Sequence, residues 1–228
     1  MKIYRSSVVN IVAVALTLTA FSAPADAVTV LTFEGVGDRQ PIANFYNGGA
    51  GGNLGITMSP NSLAIVDADA GGTGNFGGEP SSSTALFFLN GTSAVMNVAD
   101  GFDTGFSFFY TAIVSPGSLH VFDGLDGTGN LLTELILPLT PFSGAPDPSG
   151  QFSPFLPIGV AFDGIARSIS FAGVQNQIAF DDVTFGSVTP GEEQPGPGGV
   201  VPLPGSFLLL AAGTTALGVA RRARAYSR

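Results

Sequence analysis

Cysteine and tryptophan are absent from the 228 residues, and lysine and histidine each occur once, as Lys2 and His120. These gaps exclude whole classes of chemistry. Without cysteine there are no disulfides, thiol nucleophiles or thiolate metal sites. With Lys2 alone there is no Schiff-base or P-loop lysine in the body of the chain. One histidine excludes multi-histidine zinc sites. Basic residues are few and gather at the ends, where Lys2, Arg5, Arg221, Arg222, Arg224 and Arg228 hold six of the eight positive charges. Between Val28 and Gly199, Arg39 and Arg167 stand against sixteen Asp and Glu, a net charge of −14. Such a surface repels nucleic acid and anionic lipid. The length suits one globular domain with short appendages.

Both ends read as addresses. Lys2 and Arg5 precede an apolar run from Val8 to Phe21, and Ala25-Asp26-Ala27 places small residues at the two positions a signal peptidase reads. Residues 1–27 are therefore expected to be a secretory signal peptide, cleaved after Ala27. Residues 189–199 (TPGEEQPGPGG) form a Pro/Gly-rich linker. Beyond it, Leu203 to Ala220 is an apolar stretch of 18 residues, about 27 Å as a helix, enough to cross a bilayer. Arg221, Arg222 and Arg224 would hold its far end in the cytoplasm and leave the rest of the chain outside.

The tail resembles the PEP-CTERM sorting signal of Gram-negative bacteria on the residues Val201-Pro202-Leu203-Pro204, the Gly/Ala/Leu run after them and the closing Arg221, Arg222 and Arg224. In the commonest form of that signal Glu stands between the prolines, where this chain has Leu203. The resemblance implies recognition by exosortase, a membrane-embedded transpeptidase-like protease, and delivery to the cell surface or its polysaccharide matrix. An uncleaved C-terminal anchor is the alternative.

Between Val28 and Val188 the chain alternates short segments rich in Val, Ile, Phe, Leu and Thr with clusters of Gly, Asn, Asp, Pro and Ser. That rhythm predicts strands at 28–33, 54–58, 63–66, 85–89, 93–98, 105–113, 119–123, 131–137, 158–162, 167–171 and 178–185, with no helix between them. Turns are expected at Asn90-Gly91, Asp100-Gly101, Asp123-Gly124, Asp126-Gly127 and Asp163-Gly164, because Asn or Asp before Gly suits the positive φ of hairpins. The predicted fold is all-β, a jelly-roll-like β-sandwich over residues 28–188, with an open or closed barrel as the other all-β solution. The nineteen Phe, mostly inside these strands, are expected to supply the core in place of Trp. Two long loops, Asp67–Pro80 and Pro138–Pro157, interrupt the pattern and are candidates for function. The landmarks Leu31-Thr32-Phe33-Glu34, Phe106 to Tyr110, Val121 to Gly124 and Phe180 to Phe185 resemble the domain commonly carried by PEP-CTERM proteins.

Few constellations suggest chemistry. Gly72 to Gly77 fits GxGxxG, but Gly78-Glu79-Pro80 follows it in place of a helix, so it cannot seat a pyrophosphate. Asp103-Thr104-Gly105 matches the aspartic protease triplet in one copy, and a turn is the simpler reading. His120 alternates with Leu119 and Val121 and reads as a packing or surface residue. Glu34 at the end of the first strand and Asp181 and Asp182 opening the last resemble the acids that hold a structural calcium in jelly-roll carbohydrate-binding modules. Alternation puts Asp181 on one face with Val183 and Phe185, so one acid of the pair is expected to point inward, where a calcium would offset its burial. A weaker calcium candidate is the loop pair Asp67 and Asp69. No catalytic motif emerges. The expected function is a non-catalytic structural or glycan-binding protein of the cell surface or exopolysaccharide matrix. A carbohydrate-active hydrolase or lyase on the same scaffold is the alternative.

Overall fold

The structure is a computed structural model that describes residues 28–191. The signal peptidase site Ala25 and Ala27, the motif Val201 to Pro204 and the cluster Arg221, Arg222 and Arg224 lie outside the described residues. Among the described residues there is no helix, and so none long and apolar enough to cross a membrane.

Among the described residues thirteen strands make two main sheets and a small hairpin. In chain order they are β1 (Thr29–Leu31), β2 (Asn47–Gly49), β3 (Gly52–Asn53), β4 (Ile56–Met58), β5 (Leu63–Val66), β6 (Thr84–Phe87), β7 (Ser93–Phe102), β8 (Phe106–Thr111), β9 (Gly117–Phe122), β10 (Leu131–Leu137), β11 (Leu156–Val160), β12 (Ala166–Ala172) and β13 (Ala179–Phe185). One sheet runs β11-β8-β13-β6-β5 with β1 also on β13, and the other runs β10-β9-β12-β7-β4. Every pairing is antiparallel. Each expected segment holds a strand. The β2–β3 hairpin was not anticipated, because its Asn and Gly residues carry no apolar alternation.

The two sheets face each other across an aromatic core, which makes the domain sandwich-like. Alternation on β8 sends Phe106, Phe108 and Tyr110 inward. Phe106 and Phe108 meet Phe171 of β12 across the interface, with ring centroids 6.0 Å and 5.8 Å apart, and Phe171 in turn lies 4.9 Å from Phe180 of β13. These edge-on and tilted contacts are the geometries aromatic quadrupoles favour.

Several turn signals act differently from expectation. Asp123-Gly124 and Asp126-Gly127 do close a hairpin, between β9 and β10. Asn90-Gly91 and Asp163-Gly164 instead join strands of different sheets, so the chain arches over the core at these points. Asp100-Gly101 lies within β7, where the register against β12 slips and Gly101 takes φ +79°. It is a bulge rather than a turn.

A second apolar layer covers the outer face of the β8-containing sheet. Ala85, Phe87 and Ala179 of that face are buried under Phe76 and Phe155. These two rings come from the segments 67–83 and 138–155, the long loops of the sequence. The loops also bond to each other, Gly77 N donating to Phe152 O at 3.2 Å and Phe152 N to Asn75 O at 3.0 Å.

Candidate functional site

The acids considered as calcium ligands in the sequence gather under and within this loop roof, in two groups. The first contains Glu34, Asp181 and Asp182. Expected alternation fails on β13, because a bulge separates Asp181 from Thr184 in the register with β8 and Asp182 adopts φ +47°. Phe180 and Val183 therefore both enter the core, three residues apart, while Asp181 pairs opposite Phe109 on the outer face. Asp181 does not share a face with Val183 and Phe185, as strict alternation had required.

Asp181 is fully buried nonetheless, because the 67–83 loop closes over it. Its Oδ2 accepts from Ser81 Oγ at 2.7 Å and Ser81 N at 3.3 Å, and its Oδ1 from Asp182 N at 2.7 Å. Burial outweighs these donors and pushes the carboxyl up to about 8, with the Asp182 charge adding to the rise. Glu34 is engaged in the same way: Oε1 accepts from Ser83 N and Thr84 N at 2.8 Å each, and Oε2 from Thr84 Oγ1 at 3.0 Å. Both residues thus have every carboxylate oxygen met by a donor of the Ser81–Thr84 segment or of Asp182. Asp182 Oδ1 is buried without a partner, and burial raises that carboxyl also. Nearby, Phe33 N donates to Tyr46 Oη at 2.7 Å, and burial beside these acids lifts the phenol to about 12.

The second group is Asp67, Asp69 and Asp147, whose carboxylates each bring an oxygen within 4.8 Å of the others. Glu34, Asp181 and Asp182 do not close to that separation as a triad. Asp67 directly follows β5, and Asp69 lies beyond it in the glycine-rich loop. Asp147 arrives from the other long loop, a member of the set that sequence spacing could not reveal. Asp38, likewise unremarked in the sequence, anchors the glycine-rich loop by accepting from Val66 N at 3.0 Å and Thr73 Oγ1 at 2.9 Å. Glu79 lies between the two groups, its carboxyl raised by burial and by the charges of Asp147, Asp69 and Glu34.

The remaining motifs resolve simply. Gly72 to Gly77 is part of the glycine-rich loop, with Gly72 N bonded to Asp67 O at 2.8 Å and no helix after it. Asp103 and Thr104 form the turn between β7 and β8, where Thr104 takes φ +74°. With Phe162, Asp163 and Ile165 they line an open cleft of about 580 Å³. His120 sits on the outer surface of the other sheet, opposite Glu134 in register, its Nε2 3.4 Å from Glu134 Oε1.

Comparison with known proteins yields structural likeness alone. No family profile matches the chain, and no curated protein is significantly similar to it. Among solved structures, the K2 cleaved adhesin domain of Lys-gingipain (Kgp) aligns over 70% of this chain and 99% of its own, at 10% identity and a TM-score of 0.45. A glycoside hydrolase family 43 arabinoxylan arabinofuranohydrolase from Bacillus subtilis aligns over 55% of this chain and 24% of its own, at 19% identity and a TM-score of 0.36. The K3 cleaved adhesin domain of Lys-gingipain from Porphyromonas gingivalis aligns over 55% and 91%, at 14% identity and a TM-score of 0.32.

Proposed function

We propose that this chain is an exported, non-catalytic surface or matrix protein whose sandwich domain serves a structural or glycan-binding role through its two long loops. The observation that supports the reading is the mutual pairing of those loops over one sheet. Loops of this length are costly to order, yet here they share backbone hydrogen bonds and a buried aromatic layer. They present a defined outer surface on which Leu139 and Phe142 stand exposed, Phe142 at 65%. A ring held out on an ordered loop is a suitable stacking partner for a sugar face.

On this reading the strand order, in which β6-β13-β8-β11 faces β7-β12-β9-β10, is that of a jelly roll. The 200–228 tail hands the chain to an exosortase-type protease, and the partner outside the membrane is exopolysaccharide. A glycan panel probed with the full chain tests the binding role. Binding to at least one polysaccharide is expected, weakened about tenfold by Phe142→Ala with the melting temperature unchanged. Uniform absence of binding reduces the role to a scaffold. Turnover of a polysaccharide that vanished with a single Asp→Asn change would establish the hydrolase or lyase alternative instead.

A further inference from the structure

We propose that Asp67, Asp69 and Asp147 form a calcium site that clasps the two long loops together. This inference does not rest on the glycan-binding role. Asp67 is fully buried, with Oδ1 accepting from Ala68 N at 2.7 Å and Oδ2 buried without any donor. That orphan oxygen is the one Asp67 has left to offer the set. Asp69 and Asp147 each bring a carboxylate oxygen within 4.8 Å of one of Asp67 and of each other. Carboxylates gathered this closely repel unless a proton or a cation lies between them.

Nothing in the described chain supplies a positive charge there. Among the described residues neither Arg39 nor Arg167 forms an ion pair, and Arg167 is spent on Ala99 O at 2.7 Å. Glu79 adds to the negative field. A divalent ion would leave the three carboxylates with a net charge of −1. Calcium suits them because it accepts carboxylates in flexible numbers and angles, whereas magnesium demands near-ideal octahedral geometry and gives up its water reluctantly.

Asp147 is also built into place. Its Oδ1 accepts from Ser149 N at 2.8 Å, leaving Oδ2 free for the cluster. Two glycines make room for it: a Cβ on Gly77 would lie 2.5 Å from Asp147 Cβ, and one on Gly150 would lie 2.7 Å from it. Any larger residue at either position would displace the carboxylate.

The test is calcium titration of the full chain in detergent, by calorimetry and by thermal melting, against a chelator control and magnesium. Calcium is expected to bind with one site of this kind and to raise the melting temperature, with magnesium at least tenfold weaker. Asp147→Asn and Asp69→Asn, both changes outside the buried core, are expected to fold and to weaken calcium binding at least tenfold, whereas Asp182→Asn retains it. A flat titration of the unaltered chain would overturn the proposal. So would binding that survives Asp147→Asn and Asp69→Asn, or binding that Asp182→Asn abolishes, which would move the ion to the Glu34 group.

Discussion

Asp181 concentrates the electrostatic tension of this domain in one side chain. Its folded carboxyl titrates near 8, against an ordinary value of 3.8, because the 67–83 loop removes it from water and Asp182 adds a like charge. The folded protein therefore keeps a proton that the unfolded chain releases between the two values. In that window the unfolded state binds fewer protons, so ∂ΔG/∂pH is negative. The stabilising contribution is complete below the unfolded value and is lost as pH rises through the folded one. Melting temperature in chelator is expected to fall as pH is raised from about 5 to about 8.5. Asp181→Asn keeps an acceptor toward Asp182 N and places an uncharged amide at Ser81, so it should flatten this fall and raise stability at the alkaline end. An unchanged slope in the variant would show that the alkaline destabilisation arises elsewhere.

At the scale of the elements, stability follows the facing of the strands. Phe171 of β12 touches Phe106, Phe108 and Phe180 from the opposite sheet, so Phe171→Ala is expected to cost about 3–5 kcal/mol in denaturant unfolding. Ile136 of β10 is 60% exposed, and Ile136→Ala should change stability by no more than about 0.5 kcal/mol. A comparable loss at both positions would contradict the two-sheet packing. Period-two patterning made most of this legible, since Leu63–Val66 and Leu131–Leu137 were predicted at the limits they take in the structure. Patterning fails where the backbone departs from regular pleat. No residue type in Phe180-Asp181-Asp182-Val183 announces that Asp182 will adopt a positive φ and shift the phase. Nor does Asp100-Gly101 reveal whether it will close a hairpin or bulge within β7. The cation group was half legible for a related reason: Asp67 and Asp69 are neighbours in sequence, but Asp147 joins them through loop pairing far along the chain.

For the whole molecule, charge and the proposed sorting address extend past the folded domain. Between Val28 and Gly199 acids outnumber bases sixteen to two, and the other basic residues lie in the two terminal segments. A domain of that sign is held off anionic lipid headgroups, while on the proposed reading the apolar run closed by arginines would hold its end at the cytoplasmic face. On that reading the two tendencies would be reconciled by a polar linker at 189–199, or by cutting the tail away. Intact mass of the protein recovered from cell envelope and medium separates these outcomes in one spectrum. Export with sorting predicts a chain that begins at Val28 and ends between Val201 and Pro204, with any attached glycan appearing as added mass. A chain that begins at Val28 but retains Arg228 would mean that Leu203 blocks the protease and that the domain works as a permanently anchored envelope protein. A chain that still carries Met1 would remove the export reading, and with it the matrix role that depends on it.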